Sequence, residues 1–277
     1  MPQSGLKKRH QSIGGGMTDN GADRGMRSNS PQEILYGFSR KIGRHVHFRP
    51  YSLKLDEAVV AFTFDDFPVS CYQNAAPALE DAGMRGTFYL ASGLMGRYEN
   101  GQLIVDEAMV RDLSDKGHEI GGHTHDHVNV QRTPLSDLKE DVRRNDRIIS
   151  EIVGHSKPVS FAYPFGMISV MSKLTLMNRY PVLRGIKVGT NHGIIDLAHL
   201  QAQELYDCSQ DSGSIDAMLD DAQRRKGWLI FYTHDVRPDP TNIGCTPRFF
   251  SEVVEKVRKR GMKVETVIDT VNRLGIA

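Results

Sequence analysis

The 277-residue sequence has few cysteines, no bias of charge and no long apolar run, and each scarcity excludes a class of protein. Its three cysteines, Cys71, Cys208 and Cys245, are odd in number and far apart, so they form neither a disulfide framework nor a Cys-x-x-Cys motif. Reduced thiols are more typical of the cytosol than of an oxidising compartment. Lys and Arg number 35 against 34 Asp and Glu, so no global field attracts nucleic acid or an anionic membrane.

The chain also lacks the hydrophobic segments that direct proteins to membranes or anchor them there. Lys7, Lys8 and Arg9 are followed by Gly, Ser and polar residues, not by the apolar core of a signal peptide. No run approaches the ~20 apolar residues of a membrane span. The sequence therefore predicts neither a cleaved signal nor an integral membrane segment, and we expect a cytoplasmic protein. The oligomeric state is not readable from the sequence.

The composition changes near residue 46. Residues 1–45 contain a Gly14–Gly16 run and few apolar residues, which predicts a disordered N-terminal tail. Residues 46–277 alternate apolar strands with amphipathic helices that stop at glycines, such as the helix predicted to end at Gly154. Seven or eight such units in succession predict an α/β fold with mainly parallel strands, curled into a distorted, incomplete (β/α) barrel.

Two adjacent carboxylates follow the first buried strand. The apolar run from Ala58 to Phe62 predicts a central parallel strand, and Asp65 and Asp66 stand at its C-terminal end. In α/β folds this edge of the sheet carries the active site. Neighbouring strand residues point in opposite directions, so one carboxylate can hold a metal while the other faces a substrate. Alone, the pair is more typical of a turn that ends a strand, since Asp is common in turns.

A second motif, Gly121-Gly122-His123-Thr124-His125-Asp126-His127, places two histidines four residues apart. That spacing puts the rings of His123 and His127 on one side of a strand or a helix. Two imidazoles and one carboxylate make a three-ligand metal site with open positions, as in hydrolytic zinc enzymes. Of the other histidines nearby, we expect His125 and His118 to serve structural roles.

Two further strand ends carry candidate groups. Phe161-Ala162-Tyr163-Pro164-Phe165-Gly166 can aim a backbone N–H at a developing oxyanion, which makes Tyr163 and Phe165 candidates for oxyanion or substrate contacts. His234 follows the apolar strand from Trp228 to Thr233. An imidazole at such a strand end is placed for acid–base catalysis, because histidine side chains in general titrate near neutrality. Either stretch alone is equally compatible with a packed or capping role.

Taken in order, these motifs resemble those of the polysaccharide deacetylases, which are carbohydrate esterase family 4, the nodulation-protein-B homology domain. The resemblance covers roughly residues 55–270 and implies that residues 46–277 form a catalytic domain. It implies a metal-dependent hydrolase of carbon–nitrogen (non-peptide) bonds. The implied substrate is an amino-sugar glycan or glycoconjugate, either chitooligosaccharide-like or another that contains N-acetylglucosamine, from which N-acetyl groups are removed. The roles implied are general base for Asp65, metal ligands for Asp66, His123 and His127, a backbone oxyanion donor for Phe165 and general acid for His234.

The chain departs from the family pattern at three points. Ala162 stands where the third motif often has an arginine that orients the base, and we expect Arg184, on the next strand, to supply that guanidinium. The carboxylate that partners the acid histidine is not evident, and Asp207 and Asp196 are the positional candidates. Tyr232 stands where an aliphatic residue is usual, which predicts a smaller or more polar acyl pocket.

The metal and the substrate remain open at this point. Two histidines and one carboxylate favour Zn²⁺, although Co²⁺, Ni²⁺ and Mn²⁺ suit the same ligands. The same metal and base would also hydrolyse a formamide on a lipid-linked sugar or a cyclic amide, since only the pocket would differ. An inactive glycan-binding domain is a further alternative, but a binding protein has no need for both a base and an acid.

Overall fold

The computed structural model describes residues 30–154 and 157–276. Within them the strands are β1 Pro50–Leu53, β2 Val59–Phe64, β3 Thr87–Leu90, β4 Tyr98–Glu99, β5 Gln102–Leu103, β6 Glu119–Gly122, β7 Ser160–Ala162, β8 Val182–Arg184, β9 Gly193–Asp196, β10 Gln203–Glu204, β11 Trp228–Thr233 and β12 Lys263–Val264. The helices are α1 Pro31–His45, α2 Ala76–Asp81, α3 Glu107–Asp115, α4 Leu135–Val153, α5 Val170–Met177, α6 Ser212–Arg225, α7 Pro247–Lys259 and α8 Val267–Arg273.

The main sheet has the strand order β10-β11-β2-β3-β6-β7-β8, with β12 paired to the start of β2. Its pairings are parallel. Past β8 the chain around Leu200 hydrogen-bonds to that strand, with Leu200 N 2.8 Å from Leu183 O and Gly185 N 3.0 Å from Leu200 O. This irregular segment leads into β10 at the other edge. The sheet is thus curled and only partly regular, which confirms the predicted distorted, incomplete barrel of mainly parallel strands.

Strand β2 lies at the centre of this sheet between β11 and β3, and all six of its residues are buried. Val60, Phe62 and Phe64 pack into a core shared with α2 and α7, whereas Val59 and Ala61 join a second core with residues of β8 and β11. Because both faces are covered, the strand appears in the sequence as a continuous apolar run. The alternation carries Asp65 toward the second core, inside the curled sheet.

The ends of α7 and α4 show how local sequence delimits the helices. Thr246 caps α7 by accepting a hydrogen bond from Phe249 N at 3.2 Å, and Pro247 occupies the first turn. Gly154 ends α4 in the left-handed conformation, with φ of 73°. At the other end of α4, Thr133 does not cap the helix, since its hydroxyl donates to Asn129 O at 2.9 Å and the helix begins at Leu135.

The predicted N-terminal tail needs correction at its end. Residues 1–29 lie outside the described residues, but residues 31–45 form α1, whose first turn is capped by Ser30. The buried Lys173 donates to Gly43 O at 2.6 Å and to Val46 O at 3.0 Å, and it pairs with Asp196 at 2.5 Å. The contacts of Lys173 with Gly43 and Val46 join residues more than a hundred positions apart, so the local composition of the segment could not indicate them.

The part of the chain that the structure describes holds no helix of sufficient length and apolar character to span a bilayer.

Candidate metal centre and active site

The chain turns sharply where β2 ends. Asp65 N still donates to Thr233 O at 3.0 Å, which continues the ladder with β11. Asp66 and Phe67 then adopt left-handed backbone conformations, with φ of 60° and 61°. Non-glycine residues pay for this conformation with strain of about 1 kcal/mol or more, so it is retained where the surroundings enforce it. The turn directs the two adjacent carboxylates to different neighbours.

Asp66, His123 and His127 converge on one point. The Asp66 Oδ1 atom lies 3.0 Å from Nε2 of His127 and 3.3 Å from Nε2 of His123. One donor atom from each residue lies within 4.8 Å of the others. The two histidines belong to the segment after β6, and the backbone of His127 is left-handed, with φ of 50°. The structure therefore brings together the three residues predicted to be metal ligands.

The chemistry of this donor set fits a divalent cation. His123 Nδ1 lies 2.8 Å from the Ala162 carbonyl oxygen, which requires a proton on Nδ1 and leaves the Nε2 lone pair facing Asp66. The Asp66 Oδ1 atom is buried and accepts no hydrogen bond from the described residues. Burial raises the pKa of Asp66, but the two imidazoles lower it more, and the pKa lies well below its usual range. An ionised, unsatisfied oxygen between two imidazole nitrogens suits a cation better than a proton.

Asp65 lies beside this cluster and contacts Arg184. The Arg184 Nη2 atom donates to Asp65 Oδ1, and both side chains are buried. Burial raises the pKa of Asp65, but the positive charge of Arg184, followed by His123 and His234, outweighs it, so the pKa lies below its usual value. Arg184 on β8 is the register partner of Ala162 on β7. Its guanidinium therefore comes from the strand position next to the one where the family pattern has an arginine, as we expected.

His234 lies on the other side of Asp65, with its Nε2 atom 4.0 Å from Asp65 Oδ2. Its Nδ1 atom lies 3.3 Å from Ile243 O and 3.5 Å from the Tyr206 hydroxyl. An Nδ1 proton donated to the carbonyl leaves Nε2 facing the site. The candidate acid and the candidate base thus meet at one end of the barrel, on strands that are neighbours in the sheet.

The prediction that Asp207 or Asp196 partners His234 is wrong. The Asp207 Oδ2 atom accepts from Thr246 N at 3.1 Å, in front of α7, and Asp196 pairs with Lys173. A backbone carbonyl and a tyrosine stand where a carboxylate was expected. The carbonyl belongs to a loop that folds back on β11, and no residue type in the sequence signals such a backbone contact.

Of the two aromatic candidates on the third motif, only Phe165 lies at the site. Its backbone is left-handed, with φ of 57°, and its ring lies 4.4 Å from the His127 ring, centre to centre, while half of the side chain stays exposed. The prediction for Tyr163 is wrong. Its backbone N–H donates to Arg184 O and its hydroxyl to Ala198 O at 3.0 Å, so both donors are used inside the protein.

The two other histidines near the second motif, His118 and His125, have structural contacts, as expected. The Nδ1 atom of His118 accepts from Gly86 N at 3.0 Å, and its Nε2 atom lies 3.2 Å from Glu80. The Nδ1 atom of His125 lies 2.7 Å from the Ser92 hydroxyl, away from the metal cluster. His125 therefore offers a natural control for substitutions of its neighbours.

Comparison with known proteins agrees with this geometry. A family model described as polysaccharide deacetylase matches residues 52–181, which include Asp65, Asp66, His123 and His127. Residues 52–181 therefore belong to a polysaccharide deacetylase domain. Arg184 and His234 lie beyond the matched residues, so their placement rests on the structure itself.

Curated relatives of this deacetylase domain are distant. The chain is 21% identical over 213 residues to a chitin deacetylase of Arthroderma benhamiae, covering 75% of this chain and 50% of that protein. It is 24% identical over 119 residues to a peptidoglycan-N-acetylglucosamine deacetylase of Bacillus cereus, covering 43% of this chain and 40% of that protein. The chain thus spans half the length or less of these two relatives.

Solved structures share the fold of the deacetylase domain. A family 4 acetyl xylan esterase from Clostridium thermocellum, solved with a cobalt ion, superposes with a TM-score of 0.55 at 21% identity, covering 79% of this chain and 93% of that one. The family 4 carbohydrate esterase PdaA of Bacillus subtilis superposes with a TM-score of 0.53 at 12% identity, covering 85% and 88%. Both likenesses establish the curled, mostly parallel sheet.

Proposed function

We propose that this domain is a metal-dependent hydrolase that removes N-acetyl groups from an amino-sugar glycan or glycoconjugate containing N-acetylglucosamine. One observation carries the proposal: the Asp65 carboxylate lies between Arg184 and His234, directly beside the cluster of Asp66, His123 and His127. A base, an acid and a cation site at one strand edge are what amide hydrolysis needs. The names of the two curated relatives support an N-acetylated sugar as the substrate class.

Asp66, His123 and His127 would hold the cation. A divalent metal bound there supplies a Lewis acid that polarises the acetyl carbonyl and lowers the pKa of an adjacent water. The ligand set favours Zn²⁺, and Co²⁺, Ni²⁺ and Mn²⁺ suit it as well.

Asp65 is the general base in this proposal. Its Oδ1 atom is held by Arg184, so Oδ2 is the oxygen that takes the proton of the attacking water. The water oxygen bonds to the acetyl carbon as the carbonyl electron pair moves onto oxygen. The backbone N–H of Phe165 donates to that oxyanion, in the manner of a preorganised donor that does not have to reorient.

His234 is the general acid. Its Nε2 atom faces Asp65 Oδ2, whereas Arg184 binds Oδ1, and it gives a proton to the sugar nitrogen as the carbon–nitrogen bond breaks. The Ile243 carbonyl holds the Nδ1 proton and so fixes the ring. The products are acetate and the free amine of the sugar.

The test combines metal content with acetate release from N-acetylglucosamine oligomers. We would compare the wild type with His127→Ala and, as a matched control, with His125→Ala, whose ring contacts Ser92. About one metal per chain, and acetate release that only His127→Ala abolishes, is the expected result. Bound metal without acetate from any oligomer would exclude this substrate class. A folded, metal-reconstituted wild type that binds no metal would overturn the site.

A further inference from the structure

We propose that Tyr89 and Tyr232 are positioning residues whose rings hold the Arg184 guanidinium in the orientation that binds Asp65. The Arg184 Cζ atom lies 5.2 Å from the centre of the Tyr89 ring and 5.1 Å from that of Tyr232. Both distances are within the range of cation–π attraction. The consequence for catalysis rests on the proposed function, since it assumes that Asp65 is the base.

The two rings come from the two strands that flank the base. Asp65 follows β2, Tyr89 lies on β3 and Tyr232 on β11, and β2 pairs with both of these strands. Arg184 arrives from β8, near the far edge of the sheet. Its guanidinium therefore crosses the barrel interior and is met by one aromatic ring from each side of the Asp65 strand.

Arg184 depends on these rings because it has few other partners. The side chain is 1% exposed, so water does not solvate its charge. Of its five N–H groups, the Nη2 donor engages Asp65, the Nη1 atom is a long 3.4 Å from Gly185 O, and Nε has no hydrogen-bond partner in the described residues. A buried cation held by one carboxylate is free to rotate unless its planar faces are packed.

Neighbouring residues leave space for this arrangement. A Cβ atom on Gly121 of β6 would lie 2.5 Å from two carbons of the Tyr89 ring, so only glycine lets the ring occupy its place. The Tyr89 hydroxyl is buried and makes no hydrogen bond within the described part of the chain. The ring face of Tyr89, not its hydroxyl, therefore contacts Arg184. A phenylalanine at this position should hold the guanidinium equally well.

The kinetic test is a double-mutant cycle on acetate release. We would place Tyr89→Phe, Tyr89→Leu and Tyr232→Leu in the wild type and in Arg184→Ala. Each leucine variant should lower kcat roughly tenfold in the wild type with little change in KM, as expected for a desolvated cation–π pair, and Tyr89→Phe should stay near wild type. In Arg184→Ala the leucine substitutions should have no further effect. Equal losses in both backgrounds, or no loss in the wild type, would overturn the proposal.

A second measurement needs neither metal nor substrate. In metal-free protein labelled with ¹⁵N-arginine, Arg184→Lys identifies the Nε–H signal of Arg184. Protons above an aromatic face are shielded, so this signal should lie upfield in the wild type and in Tyr89→Phe and return toward the ordinary position in each leucine variant. An unshifted wild-type signal rejects the stack. A shifted signal in a protein that releases no acetate retains the stack and rejects the proposed function.

Discussion

Ala162 on β7 and Arg184 on β8 are register partners across a parallel strand pair, and the guanidinium of Arg184 reaches Asp65. Parallel neighbours lie about 5 Å apart in the sheet, a distance that a long arginine side chain can span. We propose that Arg184 supplies, one strand further along, the guanidinium that the family pattern places at Ala162, and the register of the two positions makes this proposal testable.

Arg184→Ala should lower kcat by about tenfold to a hundredfold, because Asp65 loses a charge-assisted hydrogen bond worth about 1.5–3 kcal/mol. The double variant Arg184→Ala/Ala162→Arg should recover part of the lost activity, since it returns a guanidinium to the adjacent register position. The control is Arg179→Ala, which removes an arginine on the same approach to β8 that pairs with Asp146 instead. Unchanged turnover in Arg184→Ala would remove Arg184 from the site.

Asp65→Asn should separate the base from the metal ligands. The amide keeps the shape of the side chain but takes no proton, so kcat should fall by about 10²–10⁴-fold. Metal content should remain at the wild-type level because Asp66, His123 and His127 are intact. His127→Ala, in contrast, should lose the metal, and its activity should be lost as a consequence. Metal analysis and acetate release on the same samples distinguish the two, and wild-type turnover in Asp65→Asn would contradict the assignment of the base.

The parts of the site that the sequence predicts are those placed by regular secondary structure. Asp65 and Asp66 follow a fully buried strand, and His123 and His127 follow another, so the parallel sheet alone brings them to one edge. Arg184 was predictable for the same reason, since it ends a strand next to the one that carries Ala162. Local pattern and sheet geometry indicated the first four residues, whereas Arg184 also required the resemblance to a family whose third motif has an arginine at the position of Ala162.

The predictions that were wrong share a different cause. The partner of His234 is a loop carbonyl at Ile243, and the donors of Tyr163 are used by Arg184 O and Ala198 O. Such contacts depend on how chain segments between the strands pack, and backbone groups carry no residue-specific signal. The end of the tail was misplaced on similar grounds, because α1 is held by Lys173, far away in the sequence. In these three cases tertiary contacts, which local composition does not indicate, determine the structure.

Lys173→Met should destabilise the fold and loosen α1. It leaves the buried Asp196 carboxylate without its ion pair and removes the donor to Gly43 O and Val46 O, and breaking a buried pair in this way costs about 3–5 kcal/mol. Denaturant unfolding measures the loss, and hydrogen exchange should show faster exchange in α1. Lys157→Met, which removes an exposed lysine, is the control and should leave both unchanged.

The same pair predicts a dependence of stability on pH. Burial raises the pKa of Asp196, but Lys173 and backbone N–H groups lower it more, so the folded-state pKa lies below the value of about 3.9 in unfolded chains. A depressed pKa means that the carboxylate stabilises the fold above about pH 4 and that this contribution is lost as the pH falls through the folded-state pKa. Unfolding curves of wild type and Lys173→Met between pH 7 and 3 should therefore converge at acid pH. Parallel curves would show that Lys173 does not depress this pKa.

Gly121 and Gly122 provide a matched pair of positions in front of His123. A Cβ atom at Gly121 would lie 2.5 Å from the Tyr89 ring, whereas one at Gly122 would meet carbon and oxygen atoms no closer than 3.2 Å. Both residues lie in β6, so the two alanine variants share their effect on the backbone. Gly121→Ala should destabilise the protein by about 1–3 kcal/mol through overpacking and should lower kcat as the displaced ring releases Arg184. Gly122→Ala should cause a smaller loss of stability and a smaller loss of kcat, because small shifts of its neighbours relieve the contact. Equal effects in thermal unfolding and in acetate release would show that β6 tolerates neither Cβ, and that the packing of Tyr89 is not what distinguishes Gly121.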